Sequence, residues 1–163
     1  MKYSLMLILL LSAFATHADN NFTIYLTRHA EKQKEQENPK LTLCGTQRAQ
    51  QLASLLAKTK LKKIYSTQYN RTLATAQPTA KTYALETQYY SPAKLKEFAK
   101  KLLANKENAL VVGHSNTTPQ LAALLSGSDI EKISEKEYQN LYQIQISGRV
   151  KTVTLLTQPL TCY

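Results

Sequence analysis

Short strand-like runs alternate with helical patterns along this chain, and that alternation constrains its fold more than any other feature. The run at residues 109–112 is apolar throughout, as expected for a strand covered on both faces. The predicted strands lie at residues 22–27, 61–67, 87–90 and 109–112. The predicted helices begin near residues 42, 69, 92 and 118, with Pro92 in the first turn of the third helix. Such alternation is typical of an α/β fold built on a parallel sheet.

The C-terminal part of the chain departs from this alternation. Residues 138–146 and 150–156 are strand-like and flank Ser147-Gly148-Arg149, a three-residue hairpin connection. The sequence therefore predicts a three-layer α/β/α sandwich with a mostly parallel sheet and a C-terminal antiparallel hairpin. Within it, Thr42 suits the N-cap of the first helix, and Pro78 is expected to kink or divide the second.

The N-terminus has the three-part form of an export signal. Lys2 precedes an apolar run at residues 5–15, and small residues follow before the polar Asp19. The run is short for a bilayer span, so we expect no transmembrane segment, and an N-terminal helix of the domain is the alternative. The predicted organisation is a signal peptide at residues 1–18, cut after Ala15 or Ala18, and one domain at residues 19–163. A periplasmic or secreted location follows from that prediction.

Composition narrows the possible functions. Four glycines leave no room for a Gly-rich loop that cradles a nucleotide phosphate. The formal net charge is +10, but most of the excess is lysine, which is typical of a solvated surface. Because no basic strip is interleaved with aromatic residues, we expect no nucleic-acid partner. The charge could instead hold an anionic polymer of the cell envelope.

Two histidines and two arginines directly follow predicted strands. Arg28 and His29 end the first strand run, Arg71 lies just past the second, and His114 follows residues 109–112. Because the carboxyl ends of parallel strands line one edge of a sheet, we expect these four side chains to share one crevice. Each alone has an ordinary structural explanation, and a histidine can also bind a metal. Together they favour an anionic, phosphoryl-sized ligand, and no third metal ligand is spaced to join them.

The two cysteines, Cys44 and Cys162, allow a disulfide in an oxidising compartment, and two free buried thiols are the alternative. A cysteine phosphatase needs an arginine six residues after its nucleophile. Gln50 occupies that position after Cys44, so this class is excluded.

Four short motifs occur in order with compatible gaps, and they resemble those of one family. They are Arg28-His29-Ala30-Glu31-Lys32, the first-helix pattern Leu41-Thr42 to Arg48-Ala49, the group Ser66, Arg71, Thr75 and Ala76, and Val112-Gly113-His114-Ser115. Together they resemble the histidine phosphatase superfamily, also called phosphoglycerate-mutase-like, and within it a small exported branch. The similarity extends from about residue 22 to residue 156, with alanine replacing the glycine of the family's first signature.

The resemblance implies a mechanism and an assignment of roles. His29 would be the nucleophile that forms a phosphohistidine, Arg28 and Arg71 would bind the equatorial phosphate oxygens, and a protonated His114 would stabilise developing charge. Asn116, at the start of a helix, would add a donor. The implied function is an exported, metal-independent phosphatase without a cofactor, which takes a small phosphorylated substrate and releases inorganic phosphate.

One departure from the family pattern concerns the proton donor. Many members carry an acidic residue after the third strand, whereas residues 87–95 contain none here. Glu31, two residues from the nucleophile, is the provisional choice. A missing acid would favour substrates with good leaving groups. The alternative is a member of the same fold that binds phosphate or another anion with weak catalysis or none.

Overall fold

The computed structural model describes residues 21–34 and 37–160. Six strands and four helices alternate as the sequence predicts, with the two C-terminal strands adjacent in the chain. In order they are β1 (Asn21–Arg28), α1 (Leu43–Leu56), β2 (Lys63–Ser66), α2 (Asn70–Tyr83), β3 (Thr87–Tyr89), α3 (Leu95–Asn105), β4 (Ala109–Gly113), α4 (Thr117–Ser126), β5 (Asn140–Ser147) and β6 (Val150–Thr157).

All six strands form one mixed sheet in the order β3-β2-β4-β1-β5-β6. The first four strands of this order are parallel, while β5 runs antiparallel to β1 and pairs with β6 as a hairpin. The last parallel strand in the chain, β4, lies between β1 and β2. This insertion places the ends of β1 and β4 side by side.

Helices cover both faces of the sheet, which confirms the predicted three layers. Along β4 the side chains alternate: Val111 packs with α3 and α4, whereas Leu110 and Val112 pack with α1 and α2. The alternation explains why this strand is apolar throughout, because each of its faces meets a hydrophobic layer. The sheet edge beyond β1 and β4 is left open for the loops that follow the strands.

The N-cap of the first helix is confirmed, but the placement of Pro92 in the first turn of the third helix was wrong. Pro92 lies in a turn in which the Lys94 amide donates to the Ser91 carbonyl, and α3 begins at Leu95. Thr42 is the N-cap of α1, and its hydroxyl accepts a hydrogen bond from the Gly45 amide at 3.0 Å. Pro78 lies inside α2, which continues as one helix, so the possibility of a divided helix was wrong. Buried residues on both sides of the proline, including Thr75 and Thr79, pack the helix against the molecule and offset the missing backbone hydrogen bond.

Within the described residues, none of the helices is both long and apolar enough to cross a bilayer. The predicted signal peptide lies outside the described residues.

Candidate active site

Strand register brings the two histidines together. Arg28 at the end of β1 pairs with Gly113 at the end of β4, so His29 and His114 each stand one residue beyond the same pair. The His29 amide donates to the Gly113 carbonyl at 2.9 Å and continues the ladder by one bond. The two rings lie 5.6 Å apart, centroid to centroid, and meet edge to face. The structure thus brings the two predicted histidines together at one sheet edge.

His29 is held as a neutral ring with a defined tautomer. Its Nδ1 lies 2.8 Å from the Ala30 carbonyl oxygen. Since a carbonyl only accepts, Nδ1 carries the hydrogen and Nε2 keeps a free lone pair. Burial of the residue, which is 3% exposed, lowers the pKa of His29 to about 3, and the charges of Arg28 and Arg71 act in the same direction. The free Nε2 is thus available as a nucleophile at neutral pH.

A chain of threonine hydroxyls fixes the ring of His114. The Thr72 hydroxyl donates to backbone carbonyls, so it accepts from the Thr67 hydroxyl at 3.0 Å. The Thr67 oxygen, having given its hydrogen to Thr72, accepts one from His114 Nε2 at 2.9 Å. Nδ1 of His114 is therefore the nitrogen that takes up a proton.

The charge state of His114 differs from the protonated form that the resemblance implies. Burial, together with the charges of Arg71 and Arg28, lowers the pKa of His114 to about 4, against an opposing effect of Glu135. The ring is neutral at pH 7 before a ligand binds. A phosphoryl dianion in the site would raise this pKa, because an opposite charge favours the imidazolium.

Arg28 is buried beneath the segment that joins α4 to β5. Its Nη1 donates to the carbonyls of Ser134, Glu135 and Glu137, and its Nη2 contacts the Glu135 carboxylate at 2.6 Å. The guanidinium carbon lies 4.1 Å from the centroid of the Tyr138 ring. Arg28 therefore anchors this segment over the site, while its buried Nε finds no hydrogen-bond partner in the described part of the chain.

Arg71, in the first turn of α2, is the second guanidinium. It lies 4.5 Å from the centroid of the Tyr69 ring, and its buried Nε also has no hydrogen-bond partner among the described residues. Burial lowers the pKa of Arg71, but an arginine remains charged at any physiological pH. Two buried guanidinium N–H groups beside two neutral imidazoles are a favourable environment for an anion.

Glu31 does not occupy the position expected of a proton donor. Its carboxylate receives Arg48 Nε at 2.9 Å and Arg48 Nη2 at 2.6 Å, and both side chains are largely buried. Because a buried guanidinium holds it in a bidentate pair, Glu31 serves as a structural ion pair behind the His29 loop. The provisional choice of Glu31 as the acid therefore has no support in the geometry.

A pocket of about 490 Å³ opens at this sheet edge. His29, Arg71 and His114 line it, as does Asn116, the predicted additional donor. The remaining lining residues are Lys32, Tyr69, Pro92, Ser115, Thr117 and Glu135. A larger groove of about 980 Å³ along α2 and β3 contains neither histidine. The smaller pocket, which contains both histidines, is therefore the candidate active site.

Several site residues were not predicted from the sequence. Thr67 directly follows β2, just as His29 follows β1 and His114 follows β4, and this shared placement could have identified it. Ser115 belongs to the fourth motif and Tyr138 begins the predicted strand at residues 138–146, but neither residue had an assigned role. Glu135 lies in the irregular segment 127–139, where no periodic pattern marks any position.

The remaining predictions concern the cysteines and metals. Cys44 is disulfide-bonded, whereas Cys162, its predicted partner, lies outside the described residues. Within residues 21–34 and 37–160, no three His, Cys, Asp or Glu side chains gather as a group that could hold a metal ion.

Comparisons with known proteins agree with this arrangement. Residues 24–99 match the model of the histidine phosphatase superfamily (branch 1), whereas no curated protein matches the sequence. The protein histidine phosphatase SixA, solved with tungstate, superposes with a TM-score of 0.68 at 12% identity, over 83% of this chain and 97% of that one.

Two further solved structures share the fold. A mycobacterial glucosyl-3-phosphoglycerate phosphatase, solved with inorganic phosphate, has a TM-score of 0.64 at 13% identity, over 85% of this chain and 97% of that one. YhfR from Bacillus stearothermophilus has a TM-score of 0.64 at 18% identity, over 82% and 96% of the two chains. Residues 24–99 thus match the histidine phosphatase superfamily, and the solved structures share the fold that brings the two histidines to one sheet edge.

Proposed function

We propose that this protein is a phosphatase that hydrolyses a phosphomonoester or a related phosphoryl compound through a phosphohistidine on His29. The observation that carries the proposal is the state of His29, a buried neutral imidazole whose Nδ1–H is bound to the Ala30 carbonyl. Its Nε2 lone pair is free, and the pocket that His29 lines also contains Arg71 and His114. The superfamily match of residues 24–99 and the solved neighbours of the same fold, which include phosphatases, support the same conclusion.

In the first step, His29 Nε2 attacks phosphorus while the bond to the leaving oxygen breaks. The phosphoryl group is then bonded to nitrogen. In the second step water attacks the same phosphorus, the P–N bond breaks, and inorganic phosphate leaves. Nδ1 keeps its hydrogen throughout, since the Ala30 carbonyl holds the ring in one tautomer and one orientation.

Charge stabilisation comes from groups already in place. The unpartnered Nε–H groups of Arg28 and Arg71 are suited to equatorial phosphate oxygens, and His114 Nδ1 can donate once the dianion has favoured its protonation. Residues held in this way need little rearrangement when the substrate arrives. In this proposal no step uses a metal ion.

The experiment measures hydrolysis of p-nitrophenyl phosphate by the purified protein in the presence of a chelator. Turnover should persist with the chelator and be abolished in His29→Ala. Arg71→Ala should lower kcat by about 100-fold or more, because one donor to the transition state is lost. Arg149→Ala is the matched control, since it removes an exposed arginine from the β5–β6 turn far from the pocket.

The intermediate can be trapped directly. Labelled substrate mixed with the protein and quenched in alkali should leave an acid-labile label that is absent from His29→Ala. Undiminished hydrolysis by His29→Ala would refute the proposal. Binding of phosphate without turnover or label, across aryl, alkyl and nitrogen-linked phosphoryl compounds, would establish the alternative of an anion-binding member of the fold.

We also propose that the protein works outside the cytoplasm, after removal of residues 1–18 or of a slightly shorter leader. The support is the sequence of that segment alone. Mass spectrometry of the N-terminus from a periplasmic or culture fraction should find a start at Thr16 or Asp19. Recovery of the uncut chain from the cytoplasm alone would contradict the proposal.

A further inference from the structure

Glu135 supplies the single carboxylate in the described lining of the pocket. It lies in segment 127–139, far along the sequence from the segment after β3. Its Oε2 contacts Arg28 Nη2 at 2.6 Å, and the Ser115 hydroxyl donates to Oε1. The carboxylate is thus fixed between the residue before the nucleophile and the residue after the second histidine.

The depth of these groups sets the direction of the reaction. His29 is 3% exposed and lies at the floor of the pocket, whereas the Glu135 side chain is 76% exposed and lies at its mouth. An in-line attack from the floor pushes the leaving oxygen away from His29 and toward the mouth. The side of the pocket where the leaving oxygen emerges is therefore the side that carries the carboxylate.

On this geometry we propose that Glu135 is the proton donor to the leaving oxygen, and that the site is equipped for phosphate esters of ordinary alcohols. The inference rests on the proposed function and adds to it a residue and a substrate class. An alkoxide is a poor leaving group without a proton, whereas a nitrophenolate or a protonated amine leaves unaided. A site with a placed acid can use the first class as well as the second.

The electrostatics of the site explain how Glu135 acquires its proton. In the empty pocket, the bond from Ser115 and the charge of Arg28 lower the pKa of Glu135, so the carboxylate is ionised. A phosphoryl dianion that enters the pocket repels this carboxylate and competes with it for Arg28. Both effects favour the protonated acid in the complex, because a like charge nearby disfavours the ionised form.

The proton balance closes over the two steps. As His29 Nε2 bonds to phosphorus and the P–O bond breaks, the Glu135 proton moves to the departing oxygen, which leaves as an alcohol. The Glu135 carboxylate then takes a proton from the water that attacks the phosphohistidine. The P–N bond breaks, its electron pair returns to Nε2, and Glu135 is a carboxylic acid again.

The test compares Glu135→Gln with the unaltered protein on two substrates, p-nitrophenyl phosphate and glycerol 3-phosphate. The glutamine oxygen can accept from Arg28, and its NH2 group can donate to the Ser115 hydroxyl, so segment 127–139 keeps both contacts. For the alkyl ester, kcat/KM should fall by about 100-fold or more, the usual contribution of a general acid. For the aryl ester it should change far less. Glu131→Gln is the matched control, since Glu131 is exposed on the same segment and does not line this pocket.

Each other outcome has a definite meaning. An equal fall in kcat/KM on both substrates would overturn the inference and show that Glu135 only supports Arg28. An equal rise would overturn it in favour of a carboxylate that competes with phosphate for the pocket. The aryl ester separates the two proposals. If Glu135→Gln still hydrolyses the aryl ester, the proposed function stands, whatever the rate of alkyl ester hydrolysis. No turnover of either ester by the unaltered protein would refute both.

Discussion

Gly45 offers a direct test of how the His29 loop is supported. This glycine is buried in the first turn of α1, where the helix meets the backbone of Glu31. A Cβ at position 45 would lie 2.2 Å from the Glu31 carbonyl oxygen and 3.0 Å from its carbon and nitrogen. Ordinary contact begins at 3.4 Å, so the helix or the loop would have to move by 1.2 Å.

The displacement bears on both stability and activity. Alanine in place of glycine raises helix stability by up to about 1 kcal/mol when nothing obstructs it. Forced contacts in a packed region cost about 1–3 kcal/mol, so we expect a net loss in Gly45→Ala. The Ala30 carbonyl, one residue before Glu31, orients His29. A misplacement of about 1 Å at reacting groups can cost about 100-fold in rate.

Urea unfolding and kcat/KM for p-nitrophenyl phosphate measure the two effects. Gly45→Ala should have a lower unfolding midpoint and a kcat/KM reduced by about 10- to 100-fold. Gln50→Ala, on the exposed face of the same helix, should change neither. A Gly45→Ala protein that is more stable than the original and fully active would refute the argument, because it would show that the backbone contact imposes no constraint.

Three further predictions concern the buried polar groups. Because the pKa of His29 is lowered to about 3, the unfolded chain protonates this imidazole between pH 6.5 and 3 while the folded chain does not. Acidification from pH 7 to pH 5 should therefore lower the free energy of unfolding by about 2 kcal/mol. Urea titrations at both pH values measure this loss, which should be absent in His29→Asn. Thr67→Val removes the hydroxyl that holds the His114 ring, so it should lower kcat more than it raises KM. Thr67→Ser keeps the hydroxyl and should have a normal kcat. A valine variant with unchanged kcat would show that the hydroxyl has no positioning role. Glu31→Gln should lower the free energy of unfolding by about 1.5–3 kcal/mol, because Arg48 loses charge-assisted hydrogen bonds to a carboxylate. The ratio of alkyl to aryl hydrolysis should not change, and a selective loss of alkyl hydrolysis would restore Glu31 as the acid.

The layers and the meeting of the histidines could be predicted because they depend on strand ends. A continuous apolar run such as residues 109–112 has few alternatives to a strand buried on both faces. Once β1 and β4 are parallel neighbours, the residues that follow them must lie at one edge. The roles assigned to His29, Arg28, Arg71 and His114 remain predictions of chemistry, which the variants above examine.

The contacts of Arg28 could not have been predicted in the same way. They join its guanidinium to backbone carbonyls more than 100 residues away, and a backbone carbonyl leaves no trace in a sequence. Glu135 lies between Ser134 and Lys136 in a segment without periodicity, so its carboxylate looks like any other on a charged surface. At Pro78 the sequence rule itself misleads, because packing of buried residues on both sides of the proline keeps α2 in one helix.

The position of β4 between β1 and β2 also has a consequence for synthesis of the chain. β1 and β2 are synthesised before β4, yet neither can form its hydrogen bonds to β4 until Ala109–Gly113 has emerged from the ribosome. The nascent polypeptide therefore carries unsatisfied strand edges for much of its translation, a state that invites aggregation or chaperone capture. Arg28–His29 and His114 become neighbours only in that late step, so the pocket of the candidate site is assembled when β4 joins the sheet.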